Sequence, residues 1–192
     1  RHEASLRQRG RPKVVLARTY EEAWEIYQRY KDNCLGVISD VRFPINNVDE
    51  NTQTAAEGSV PVVEKDPEAG LKLLRAIRKE DEYLPLIIES SESENREKAE
   101  AEGFCFVDKN SKKMSVDLRR LLEEHMGFGD FIFRNPKTHE EVMRVRNLKE
   151  LQDNIFKIPR DSMLYHISRN HMSRWLSARA IFPVSSFLKG IT

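Results

Sequence analysis

The chain has 192 residues, 33% of them charged and 39% hydrophobic, with a formal net charge of +1. That length holds one domain plus an appendage, or two small domains. So balanced a charge supplies no global field that argues for nucleic acid or a membrane surface, and neither is expected as a partner. No uninterrupted apolar window approaches the ~18 residues a spanning helix needs.

No amino-terminal stretch reads as a secretory signal. The two cysteines, Cys34 and Cys105, stand in apolar, strand-like runs and read as buried free thiols. Neither belongs to a CxxC or Cys/His spacing that would hold a metal. Reduced thiols without an export signal point to the cytoplasm. The opening "RHEASLRQRG" has no initiator Met and reads like the tail of a helix, so a fragment of a longer protein is expected.

Residues 11–125 alternate between two patterns. "PKVVLA" (12–17) is a short apolar run. Thr19 and Glu22 make a capping box, and the helix it opens sets Ala23, Ile26, Tyr27 and Tyr30 on one face. "CLGVIS" (34–39) is a second run, followed by a long loop over 41–66 of polar, acidic and Gly/Pro character. That loop reads as a surface insertion or as a disordered cover over a site. Asp66-Pro67 opens a helix over 67–80 with Leu71, Leu74 and Ile77 inward. "LPLII" (84–88) is the third run. Ser91 and Glu94 form a second box for a helix over 92–102, stopped by Gly103. "FCFV" (104–107) is the fourth run, and a helix over 115–125 closes the series. Short apolar strands separated by helices predict an α/β fold, a doubly wound parallel sheet of right-handed βαβ units.

The working edge of such a sheet is at the carboxyl ends of its strands. Asp40 follows the second run, Glu89, Ser90 and Ser91 follow the third, and Asp108 and Lys109 follow the fourth. Taken singly these are turn, cap and surface residues. Together, an acid, a small hydroxyl and a lysine suit phosphoryl transfer to a carboxylate. The acid attacks phosphorus, the hydroxyl donates to a phosphoryl oxygen, and the lysine offsets charge.

These residues resemble the receiver domain of two-component response regulators. The resemblance covers roughly residues 11–125 and rests on "ISDVRFP" (38–44), "AGLKLLRAIRK" (69–79), "LPLIIESS" (84–91) and "AEGFCFVDKN" (101–110). It implies a flavodoxin-like fold with Asp40 as phosphoacceptor, Ser90 as switch hydroxyl, Lys109 as catalytic lysine and Phe106 as aromatic switch. It further implies Mg²⁺ at Asp40 and the Arg42 carbonyl, and a histidine kinase or small phosphodonor as partner. Three features depart from the family. The first strand and its Mg²⁺-binding acid pair are not found, so four strand runs stand where five are expected and the metal site is incomplete. Strand exchange with a second copy, giving a homodimer, is one way a sheet could replace that strand. Asn110 stands where the family has proline, and the loop over 41–66 is long.

Residues 127–180 change character. "FGDFIFR" and "EEVMRV" flank "NPKTH" and predict a hairpin. Asn147 and Glu150 box a helix that Pro159 ends. "DSMLYHISRNHMSRWLSARA" (161–180) predicts one long helix, with Leu164, Ile167, His171, Trp175 and Ala178 on an apolar stripe and His166, Asn170, Arg174 and Ser177 on a polar one. Two His five apart on one helix do not face a single metal. His171 reads as a core histidine. His166, Asn170 and Arg174 read as a solvated face or as a site for an anion or partner. The segment resembles the one that follows a receiver-like domain in large bacterial proteins ending in a phosphoenolpyruvate-synthase-like, PEP/pyruvate-binding domain. The expected organisation is a receiver-like domain over 1–126, a hairpin-plus-two-helices α+β module over 127–180, and a linker over 181–192 to a carboxyl-terminal enzyme domain.

Three functions follow. One is a phosphorylated signalling module, itself not an enzyme. The second is a degenerate receiver that dimerises or binds a partner without phosphorylation. The third, a haloacid-dehalogenase-type phosphatase, needs an Asp two residues after its nucleophile, where this chain has Arg42.

Overall fold

The computed structural model describes residues 12–45 and 65–191, so most of the long loop expected over 41–66 lies outside the described residues. The chain divides into two compact units, one spanning Val14–Ser111 and the other running from Lys112 onward. The division precedes the helix at 114–125 that the sequence groups with the first domain, and that helix counts with the second unit.

The first unit is mixed α/β. Its elements are α1 (Tyr20–Tyr30), β1 (Val37–Asp40), β2 (Phe43–Pro44), β3 (Lys65–Asp66), α2 (Ala69–Glu80), β4 (Leu86–Ser90), α3 (Glu94–Ala101) and β5 (Cys105–Asp108). β1, β4 and β5 form a parallel sheet in the order β1-β4-β5. β2 and β3 are a two-residue antiparallel pair. Leu86, Ile87 and Ile88 of β4 are all buried, as the middle strand of a sheet covered on both faces requires. Leu86 and Ile88 join Leu71, Leu74 and Ile77 of α2, with Tyr27, Val41, Leu84 and Phe104, in one core. Each fully buried aliphatic contributes about 1.5–3 kcal/mol.

Local signals set most boundaries. The Thr19 hydroxyl accepts from the Glu22 N–H at 3.2 Å, the expected cap of α1. Asp66 accepts from the Glu68 N–H and from Lys72 Nζ, so the chain turns twice more before α2 begins at Ala69. Gly103, at φ 73°, ends α3 as expected.

Some expectations fail. "PKVVLA" forms no strand; Val14 is 88% and Leu16 80% exposed. Apolar residues make a strand only where a neighbour takes up their backbone groups, and this run has no ladder partner among the described residues. α3 starts at Glu94 rather than 92, and the expected Ser91 cap is not made: the N-cap position is Ser93, no side chain caps the helix, and the Ser90 hydroxyl accepts from the Glu92 N–H ahead of it. Cys34 and Cys105 are half-buried rather than buried. Cys34 precedes β1 and Cys105 opens β5, at the sheet's border.

The second unit contains α4 (Met114–His125), the antiparallel hairpin of β6 (Phe131–Arg134) and β7 (Glu141–Val145), α5 (Leu148–Asn154), α6 (Arg160–Ser168), α7 (His171–Ala178) and α8 (Phe182–Lys189). The hairpin and the Asn147 cap, whose Oδ1 accepts from the Glu150 N–H at 2.9 Å, are as expected. The single long helix is not. Asn170 adopts the left-handed conformation (φ 58°) and splits it into α6 and α7; asparagine is one of the few residues that enter that region readily. Nor is 181–192 a linker. α8 has proline in its first turn, and the Ser185 hydroxyl is buried, donating to the Ser173 carbonyl at 2.7 Å. The core joins Phe131, Phe133, Val145, Leu151, Ile158, Met172, Trp175 and Leu176. Trp175 Nε1 donates to the Gly129 carbonyl at 3.0 Å, and the Arg179 guanidinium lies 3.8 Å from the Trp175 ring centroid while donating to the carbonyls of Gly127 and Gly129.

Gly70 fixes the approach of α2 to the end of β1. Its N–H donates to the Val41 carbonyl at 2.9 Å, and a Cβ there would lie 2.0 Å from the Asp40 carbonyl oxygen. Gly70→Ala is therefore expected to force the backbone apart and to destabilise the first unit by about 1–3 kcal/mol, read as a lower urea midpoint.

Candidate functional site

β1 and β5 lie on either side of β4, about two strand spacings or ~9.5 Å apart. Only a long side chain bridges that gap. Lys109, the residue after β5, does so: its Nζ lies 2.6 Å from Oδ2 of Asp40, the last residue of β1. The two are 69 positions apart in sequence. The parallel register makes the meeting possible, pairing Asp40 with Glu89 and Ser90 with Asp108, so all three strands end together. The Lys109 N–H also donates to the Ser90 carbonyl at 2.9 Å, extending the ladder by one bond. Asp40 keeps 49% and Lys109 33% of its side-chain surface exposed. The pair is open to a ligand and, being screened by water, adds no more than about 1 kcal/mol to stability.

Ser90 closes β4 and is buried. Its Oγ accepts from the Glu92 N–H at 3.1 Å and from Asn95 Nδ2 at 3.0 Å. Both bonds use lone pairs, which leaves the hydroxyl proton for a further acceptor. Asn95, which the sequence reading passed over, is also buried; its place one helical turn beyond a strand-end serine was the available signal. Arg42 pairs with Glu92 at 2.7 Å, so this side chain, where a phosphatase would carry an acid, faces another partner. Asn110 shapes the loop after β5. Its N–H donates to Asp108 Oδ1 and its Nδ2 to the Ser91 carbonyl, each at 2.8 Å, tying the β5 loop to the loop after β4. Phe106 is half-buried against the first core, with the Arg96 guanidinium 4.6 Å from its ring centroid.

The oxygens assigned to Mg²⁺ do not make up a site. Mg²⁺ demands a near-octahedral oxygen set, generally with one or two carboxylates beside phosphate and water. Asp40 is held by Lys109, and among the described residues no group of three His, Cys, Asp or Glu could hold a metal.

The second candidate cluster differs from its sequence reading. His166 and Arg174, expected on a polar face, are buried, and Leu164, expected on the apolar stripe, is exposed. Leu164 and His166 both lie in α6, which sets its own buried face, cut off from α7 by the turn at Asn170. That turn also brings His166 and His171 together, with their Nδ1 atoms 3.0 Å apart. Asn170 is half-buried, with its Oδ1 shielded from water and no protein partner for it. No helix among the described residues is long and apolar enough to cross a membrane.

Ser90→Ala removes the acceptor shared by the Glu92 N–H and the buried Asn95 amide. The first unit is expected to lose about 1–3 kcal/mol in chemical denaturation, whereas Lys109→Met, at the exposed pair, changes it by no more than about 1 kcal/mol.

Set against family models, curated proteins and solved structures, the chain matches none of them.

Proposed function

We propose that the first unit is a receiver-type signalling domain of flavodoxin-like fold, phosphorylated on Asp40. The observation that carries this reading is the 2.6 Å pair between Asp40 and Lys109, formed across the carboxyl edge of a parallel sheet with Ser90 at the end of the strand between them. In the proposed step Oδ1 of Asp40 attacks the phosphorus of an acyl phosphate or phosphohistidine. The bond from phosphorus to the donor's leaving oxygen or nitrogen breaks, and an aspartyl phosphate forms. Lys109 holds Oδ2 before the step and takes a phosphoryl oxygen after it. The free hydroxyl proton of Ser90 reaches a second phosphoryl oxygen. A histidine kinase or small phosphodonor is the partner, and the resemblance of the carboxyl-terminal segment supports regulation of an attached phosphoenolpyruvate-synthase-like domain.

The shortage of metal ligands among the described residues favours a second reading, a degenerate receiver that binds a partner or dimerises without phosphorylation.

The test is intact-mass analysis after incubation with acetyl phosphate, with and without Mg²⁺, beside Asp40→Asn. A single added phosphoryl group, lost in Asp40→Asn and reduced at least tenfold in rate in Lys109→Met, is expected. An unmodified Asp40 under both conditions would move the assignment to the interaction module.

A further inference from the structure

The corner between α6 and α7 holds a chain of hydrogen bonds that works in only one protonation state. The Arg134 N–H, on β6, donates to His166 Nε2 at 2.9 Å. That nitrogen is therefore bare, and a neutral His166 carries its proton on Nδ1. His166 Nδ1 lies 3.0 Å from His171 Nδ1, so His166 donates and His171 accepts. His171 must then carry its own proton on Nε2. A proton added to His171 Nδ1 would set two N–H groups face to face. A proton added to His166 Nε2 would oppose the Arg134 N–H. Either one breaks a link.

Among the described residues, the groups that act on the pair add no negative charge to compensate such a proton. The rings of Phe131 and Phe133 stand edge-on to His166, with centroids 5.1 and 5.7 Å away, and Tyr165 flanks both histidines. The charged and titratable groups acting on the pair are Arg134 from β6, Arg169 at the corner, Arg174 from α7 and His125 from α4. All are cationic or become so in acid. Burial comes first for both: with Arg134 and Arg169 it pushes His166 down to about 4, and with His166 and then Arg174, Arg169 and His125 it pushes His171 down to about 3. His125 is lowered too, by burial first and then by Arg174 and Arg120, against Glu124.

We propose that the His166–His171 bond is an acid-released latch, holding the α6–α7 corner closed against β6 at neutral pH and letting α7 go when the pair takes up protons. The two helices meet at Asn170, whose left-handed conformation interrupts the helical ladder between them. The device is independent of chemistry at Asp40.

Because the native pair binds protons more weakly than the open one, closure is complete above the ordinary histidine value near 6.5 and is lost as pH falls from there toward the lowered values. One such histidine weakens closure tenfold per pH unit, and two weaken it up to a hundredfold. Two measurements test this on the intact chain. Nitrogen-15 shifts of the imidazoles at pH 7 should show opposite neutral tautomers, Nδ1–H for His166 and Nε2–H for His171. Hydrogen exchange, corrected for its intrinsic pH dependence, should show α7 amides losing protection ten- to a hundredfold per unit between pH 6 and 4, with β6 and β7 amides retaining theirs. In His171→Asn, whose amide oxygen still accepts from His166, the loss should not exceed tenfold per unit. Identical tautomers, ordinary titration of both rings near 6.5, or equal loss of protection across the whole second unit would overturn the latch.

Discussion

A lysine can reach a carboxylate two strands away only if both strands end level with the one between them. β4 imposes that condition. Its backbone is engaged on both sides, by β1 in one register and β5 in the other, and its side chains are buried on both faces. It can neither slip along its neighbours nor tilt out of the sheet, because a one-residue slip would turn Leu86, Ile87 and Ile88 out of their sites. Every polar group at the carboxyl edge inherits its position from this strand. Asp40 is placed by pairing with it, Lys109 by the extra bond to the Ser90 carbonyl, and the loop at Glu92 and the Asn95 amide by the Ser90 hydroxyl. Gly70 adds the remaining contact by letting α2 press on the turn after Asp40. Very little of this edge is held by charge. The Asp40–Lys109 pair is a consequence of the frame, free to part when a ligand arrives.

The meeting of Asp40 and Lys109 was legible because periodicity and strand order are backbone properties, written in short apolar runs and their spacing. The capping residues Thr19 and Asn147 were legible for a similar reason: their partners are three residues away. What was hidden depends on tertiary context. Whether "PKVVLA" becomes a strand is decided by whether a neighbour accepts it, and no local pattern records that. Ser90 and Ser91 are adjacent and chemically alike, and only the end of β4 decides which one turns inward to take the Glu92 N–H and the Asn95 amide. The break at Asn170 was the costliest omission. A helical pattern continued past it, so one stripe was drawn across two separate helices: Trp175 is buried as that stripe requires, but Leu164 is exposed and His166 buried. Arg174 was then placed on a wet face, and the two histidines were set apart when they touch.

The second unit solves a different problem. Its sheet is only a hairpin, too small to be stable alone, so helix packing and polar anchors complete it. Trp175 illustrates how. The indole fills the core, its N–H ends on the Gly129 carbonyl, and Arg179 covers its face while taking up two carbonyls of the turn between α4 and β6. The turn must pass very close: at Gly127, with φ 81°, a Cβ would lie 2.8 Å from the Trp175 Cα. One tryptophan thus ties α7 to the turn after α4, and the guanidinium, half-desolvated above it, stops water from competing for the same carbonyls. This anchoring lies at the carboxyl half of the α6–α7 corner, while the histidine pair closes the amino half.

The exposed run Val14–Leu16 affects how the protein can be handled. Three consecutive large apolar side chains stand in water, and among the described residues β1 is paired only on its β4 side. An exposed apolar run and a sheet edge without a partner among the described residues are the two features from which an intermolecular ladder is built. Self-association at high concentration is therefore the hazard to guard against in handling the protein. Replacing Val15 with lysine puts a charge into that run without touching Asp40, Ser90 or Lys109, so it separates colloidal behaviour from whatever those residues do.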